Sequence, residues 1–207
     1  MPVLISLPRL YPIVDASSFA GVDELCAFAT ELLAAGVELI EYRNKSGDAR
    51  PILAQARALK RVVTGARRLI MNDRADLCLL AGFDGVHVGQ DDLSPLSARK
   101  LIGRDLWLGV SAHNPAQITA AAKTSANYLA IGPVFPTTSK ANPDPVVGLA
   151  GVRQARALTS KPLVAIGGIT RANCREVIRA GADSVAVISD LLSAPWQSAG
   201  DFLRILR

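Results

Sequence analysis

The chain has 207 residues, half of them hydrophobic and few aromatic, and a formal net charge of +5, which is enough for one well-buried core and points to one domain rather than two. No apolar run is long enough to span a bilayer, and the first residues lack the basic start and apolar stretch of a secretion signal. The Arg and Lys residues stand mostly singly on prospective helix faces (Arg57, Lys60, Arg61, Arg67, Arg68, Arg99, Lys100) without interleaved aromatics, which argues against nucleic acid and suits small anionic substrates.

Taken in order, residues 10–15 read as a first strand, with an irregular start expected at Pro12. Asp23 is expected to cap a helix over 23–35 whose apolar face is Leu25, Phe28, Ala29, Leu32 and Leu33 and whose stop is Gly36. A strand over 37–42 runs into the polar loop Arg43-Asn44-Lys45-Ser46-Gly47, and 51–63 is helical by the spacing of Ile52, Ala56, Leu59 and Val63. Residues 69–71 form a short strand that stops at Asn72-Asp73-Arg74. A helix follows over 75–80, ended by Gly82, and then a strand over 85–88 that stops at Gly89-Gln90-Asp91-Asp92. Further helices are expected over 94–102, 115–123, 149–158 and 171–180, and further strands over 106–110, 128–131, 163–166 and 184–188. A last helix contains Phe202, Leu203 and Leu206. About eight strands alternating with about eight helices, in a chain near the lower length limit, point to a single-domain (β/α)8 TIM barrel over 1–207. An open doubly wound sheet competes, but GxGxxG after the first strand is absent. Cys26, Cys78 and Cys174 are scattered on helical apolar faces and read as reduced core residues of a cytoplasmic protein, with no spacing for structural zinc. The polar, Pro-rich loop over 132–147 has the length of a lid.

Parallel strands joined by helices bring every strand's C-terminal end to one rim, so the polar residues at those ends are the informative ones. Asp73 and Asp92 each stand just past a strand. Alone, either reads best as a helix cap. Together they would repel unless a cation lies between them, and oxygen ligands in a hydrated mouth suit Mg²⁺. Arg43, Lys45 and Lys140 around that position would complement a diphosphate leaving with growing charge. Gly167-Gly168-Ile169-Thr170 opens a helix, and Ser189 follows the next strand, at the usual phosphate site of such barrels. The plainer reading makes the glycines a tight turn with Thr170 as its cap. His87, inside an apolar strand, is expected to be a hydrogen-bonded core histidine. His113 at a strand end can be a general base, orient Ser111 or cap the next helix.

The segments YRNK, MNDRADL, GVHVGQDDL, GVSAHN, AIGPVFPTTSK, AIGGIT and GADSVAVIS, in this order over about Leu10 to Asp190, resemble the thiamine phosphate synthase (thiamine-phosphate pyrophosphorylase) family. The resemblance implies a barrel enzyme, a transferase that joins 4-amino-5-hydroxymethyl-2-methylpyrimidine diphosphate to a thiazole phosphate and releases diphosphate. It implies one Mg²⁺ on Asp73 and Asp92. The pyrimidine diphosphate falls to Glu41, Arg43, Lys45, Asn72, Ser111 and Lys140, with Arg43, Lys45, Ser111 and Lys140 carrying the catalysis. The thiazole phosphate falls to Thr137, Thr138, Ser139, Gly168, Ile188 and Ser189. Glu41 departs from the family, which usually has Gln there, and this puts one pyrimidine contact in question. Rival readings are a thiazole tautomerase-like barrel of the same superfamily, a sugar-phosphate isomerase or epimerase, and a non-catalytic, phosphate-binding regulatory barrel. Oligomeric state is left open.

Overall fold

The structure, a computed structural model, describes residues 5–137 and 144–207. Eight strands, β1 (Leu10–Asp15), β2 (Leu39–Arg43), β3 (Arg68–Asn72), β4 (Gly85–Val88), β5 (Trp107–Ala112), β6 (Tyr128–Ile131), β7 (Leu163–Ile166) and β8 (Ser184–Val187), pair in chain order into a closed barrel. All pairings are parallel, including β1 with β8. The helices between and after them are α1 (Val22–Ala34), α2 (Ala49–Val62), α3 (Ala75–Ala81), α4 (Pro95–Ile102), α5 (Pro115–Ala122), α6 (Gly148–Leu158), α7 (Cys174–Arg179) and α8 (Pro195–Ile205).

Each strand buries both faces, which is why the strands read as apolar runs rather than alternating ones. One face, with Val14, Ile40, Leu69, Val86, Leu108, Leu129, Leu163 and Val185, packs on Leu25, Leu32, Leu59, Ala98, Ile118, Val177 and Phe202 of the helices. The other points inward and carries Tyr11, Ile13, Leu39, Ile70, Trp107, Tyr128, Ala130, Val164 and Ala186. Pro12 lies within β1, in register with Val187, so the irregularity expected there is absent.

Local chemistry corrects several expected boundaries. Gly21 occupies the cap position of α1 and Asp23 lies in its first turn. There it favours the helix dipole rather than capping an amide. Asp48 caps α2 by accepting from Arg50 N at 3.0 Å. Basic residues expected on helix faces include ones that brace the fold, and Arg68 begins β3 instead. The guanidinium of Arg68 lies 4.6 Å from the Trp107 ring centroid. Arg99 donates to the carbonyls of Gly103, Leu106 and Ser125 and to Asn127 Oδ1, stitching α4 to the loops before β5 and β6. Cys78 and Cys174 are buried and Cys26 is half-buried; all three are free thiols.

Candidate active site

The C-terminal rim encloses a cavity of about 500 Å³ to which all eight strands or the loops after them contribute. Glu41 and Arg43 on β2 share the inward face, as a period of two requires. Arg43 forms an ion pair with Asp15 at the end of β1, which its register in the sheet places alongside. Asp15 is itself fixed by Ser17, whose amide and hydroxyl donate to Oδ1 at 3.1 and 2.8 Å. Sequence reasoning missed Asp15, because as the last residue of an apolar run it looked like a strand terminator. Lys45, two residues beyond Arg43, pairs with Asp73.

Asp73 holds a backbone φ of +59°, the one positive value outside glycine among the described residues. Asp and Asn tolerate that region best of the residues with a side chain. Its amide donates to His87 O at 2.7 Å, which anchors the turn to β4. Neither aspartate is a helix cap. Arg74 occupies the cap position of α3, and Ser94 caps α4 by accepting from Ser97 N at 3.1 Å. Asp92 instead accepts from the Gly89 amide at 2.8 Å, folding back over the end of β4. Burial raises the Asp73 carboxyl to about 6; Lys45 opposes the rise, and Asp92 within hydrogen-bonding range adds to it.

Below the carboxylates the floor is polar and connected. Asn72 Nδ2 donates to Glu41 Oε1 at 3.1 Å, and the Tyr11 hydroxyl stands beside the same carboxyl and holds its pKa down. The Tyr11 and Tyr128 hydroxyls are 2.8 Å apart, Tyr128 lies 3.1 Å from His87 Nδ1, and His87 Nε2 lies 2.8 Å from Ser111 Oγ. Registry explains the level arrangement: Asn72 pairs with His87, His87 with Gly109 and Gly109 with Tyr128. Gly109 is the gap in that layer, since a Cβ there would overlap the Tyr128 ring and His87 Nδ1. Burial pushes the Glu41 carboxyl up to about 7 against the hydrogen bonds from Tyr11 and Asn72, and lowers His87 to about 4, leaving its ring neutral. Asn72 Oδ1 is buried without a hydrogen-bond partner among the described residues.

His87, not His113, therefore orients Ser111. His113 Nδ1 lies 2.7 Å from Gly132 O and 3.5 Å from an Asp144 oxygen, and Asn114 is the residue that caps α5.

On the opposite wall, Gly167 and Gly168 adopt φ of +102° and +61°, and a Cβ on Gly168 would lie 2.5 Å from Pro136 O. This turn does not open the helix directly. Cys174 begins α7, and Asn173 braces the intervening loop by accepting from Thr170 N at 2.8 Å and donating to Gly168 O at 3.0 Å. Asp190 accepts from Arg171 N at 2.8 Å and so ties this loop to the one after β8, which brings Gly168, Ile188 and Ser189 to one side of the cavity. Thr137 also lines it; Thr138, Ser139 and Lys140, with the middle of the expected lid, lie outside the described residues.

The family profile described as Thiamine monophosphate synthase matches residues 10–191. The chain belongs to the thiamine monophosphate synthase family. A Thiamine-phosphate synthase of Koribacter versatilis is 60% identical over 98% of this chain and 97% of that protein, and one of Chloroflexus aurantiacus is 42% identical over 90% and 86%. The solved structure of a thiamine phosphate pyrophosphorylase from Pyrococcus furiosus superposes with a TM-score of 0.84 at 30% identity, covering 96% of this chain and 95% of that one. The resemblance carried by the strand-end motifs is thus borne out for family and fold. As in other members of the thiamine monophosphate synthase family by name, the chemistry is that of a transferase.

Substituting Ala for Gly168 is expected to raise KM for the substrate that meets this wall by about tenfold or more, roughly 1.4 kcal/mol, because the added methyl must displace Pro136 O and Phe135. Steady-state kinetics with the other substrate saturating would measure it. An unchanged KM for both substrates would remove Gly168 from the site.

Proposed function

We propose that the cavity joins 4-amino-5-hydroxymethyl-2-methylpyrimidine diphosphate to hydroxyethylthiazole phosphate, giving thiamine phosphate and diphosphate. The C–O bond to the diphosphate breaks first and its electron pair leaves with the diphosphate. The resulting pyrimidine-methyl cation is then attacked by the thiazole nitrogen. Such a path asks for charge stabilisation and positioning rather than a strong base. The observation that carries this reading is the Asp73–Asp92 pair with Lys45 and Arg43 beside it at the rim of a polar-floored cavity.

Two oxygen donors, one of them raised by burial and further by the other's charge, fit a divalent cation that takes one or two carboxylates together with phosphate and water. Mg²⁺ bound there would supply Lewis-acid neutralisation of the leaving diphosphate. Arg43 and Lys45 would bind the same group. Asp15 holds the Arg43 guanidinium in place, and Ser111 reaches the cavity from β5. Lys140 is kept in this role from the sequence motif. Glu41 and Asn72 Oδ1 offer acceptors to the amino group of the pyrimidine. Gly168, Ile188, Ser189 and Thr137, with Thr138 and Ser139, would receive the thiazole phosphate. The unpaired cysteines keep the cytoplasmic setting part of this reading; among the described residues no helix is long and apolar enough to cross a membrane.

Mixing both substrates with Mg²⁺ should release diphosphate and form thiamine phosphate in equal amounts, and omitting either substrate or the metal should stop both. Consumption of the thiazole alone, without diphosphate, would point instead to the tautomerase reading.

Glu41 gives a pH-dependent prediction. Its folded-state pKa of about 7 lies above the ordinary 4.5, so between those values the folded protein holds more protons than the unfolded one. Stability from this group is therefore full below the unfolded value and is lost as pH rises through 7, by on the order of 3 kcal/mol at most. Glu41→Gln should remove that loss, raising the melting temperature above pH 7 while changing turnover efficiency less than about tenfold. Glu41→Leu should cost more activity, since it leaves a polar group of the ring unpaired. A Leu variant as efficient as the parent would mean that residue 41 does not touch the pyrimidine.

A further inference from the structure

The hydrogen bonds beneath the cavity run in a file from Tyr11 on β1 through Tyr128 on β6 and His87 on β4 to Ser111 on β5, and the Glu41 carboxyl on β2 stands at the Tyr11 end of it. Four of these five residues are no more than 7% exposed, so no bulk water competes for their bonds. Each interior member has two neighbours and one proton to share between them: a tyrosine hydroxyl donates once, and a neutral imidazole has one N–H and one lone pair. The direction of every bond is then fixed by the direction of any one. Glu41 faces Tyr11 from β1, Asn72 from β3, Asp73 in the turn after β3 and Arg43 on its own strand.

We propose that this file is a directional wire in which Glu41 sets the tautomer of His87 and thereby decides whether Ser111 offers the cavity an acceptor or a donor. A carboxylate only accepts. Facing one, Tyr11 must donate to Glu41, Tyr128 to Tyr11, and His87 to Tyr128 through Nδ1–H. His87 Nε2 is then a lone pair, it takes the Ser111 proton, and Ser111 presents lone pairs to the cavity. When the terminal acceptor is missing, every arrow reverses: Tyr128 donates to His87 Nδ1, Nε2–H donates to Ser111 Oγ, and the serine proton is released toward the cavity. The absent Cβ of Gly109 is what lets Tyr128 and His87 meet. Tyr11, Tyr128 and His87 are positioning residues by this account. That Ser111 meets substrate rests on the proposed function, whereas the wire can be read without any substrate, so the two fail separately.

The chain has two histidines, and His113 Nδ1 must donate to the Gly132 carbonyl, which makes it an internal reference. Long-range ¹H–¹⁵N correlation spectra of ¹⁵N-histidine-labelled protein, taken well above pH 7 and assigned with His113→Gln, report which nitrogen of His87 carries the proton. The expected result is Nδ1–H in the wild type, with the far-downfield unprotonated resonance on Nε2. In Tyr11→Phe, which removes one buried oxygen from the file, that resonance should move to Nδ1. Glu41→Leu should give the same reversal and stands in if Tyr11→Phe does not fold. A wild-type His87 protonated at Nε2, or Nδ1–H retained in a folded variant of either kind, would overturn the proposal.

Discussion

Asp73→Asn and Asp92→Asn are each expected to lower Mg²⁺-dependent turnover by roughly two to three orders of magnitude, about 3–4 kcal/mol of lost charge stabilisation. The substitution keeps shape and removes charge. At position 73 it also respects the backbone, since Asn adopts a φ of +59° as readily as Asp does. The fold should survive. Removing one of two mutually repelling carboxylates relieves strain in the metal-free protein, so the melting temperature without Mg²⁺ should hold or rise even as activity collapses. Measuring turnover across a Mg²⁺ series together with thermal unfolding separates the two effects. Wild-type turnover at limiting Mg²⁺ in either variant would end the paired-carboxylate reading for that residue.

The second large effect is structural. Gly109→Ala places a methyl where the Tyr128 ring and His87 Nδ1 already sit, inside a closed layer with no free side to relax into. Overpacking of this kind costs about 3 kcal/mol, equivalent to a melting-temperature drop of roughly 6–12 °C for a chain of this size. Ser111 should lose its orientation at the same time, so kcat should fall in the fraction that remains folded. A stable, fully active Gly109→Ala protein would mean that the Tyr128–His87 contact contributes neither to stability nor to the site.

Much of this molecule was legible in the order of its residues, for a physical reason. Parallel connectivity forces all strand ends to one rim, so reading Arg43, Lys45, Asn72, Asp73, Asp92, Ser111, Gly168 and Ser189 off the strand ends amounted to reading one side of a cavity. The floor was less legible. Strands buried on both faces carry no polar–apolar alternation, so nothing marked Tyr11, His87 and Tyr128 as inward-facing. Their common level comes from registry between separate strands. Counting back in twos from Arg43 reaches Glu41, which the family pattern also singled out, and the same count from Ser111 reaches Gly109, a glycine inside an apolar run that marks a close approach. Asp15 was hidden because its partner, Arg43, comes from the neighbouring strand. The expectation that Thr170 or bare amides begin α7 failed because Asn173, three residues on, supplies the brace.

The pairing of β1 with β8 has a consequence for how the protein comes into being. The first strand lies at Leu10–Asp15 and the last at Ser184–Val187, so the ring cannot close until nearly the whole chain has been synthesised. Until then β1 and whichever strand was made last both expose unpaired backbone, the arrangement most open to pairing with another nascent chain. The same delay means that no partial product can hold both ligand walls. Occupancy of the cavity should accordingly protect every strand against proteolysis together rather than the rim alone, with the gain growing as the logarithm of ligand concentration.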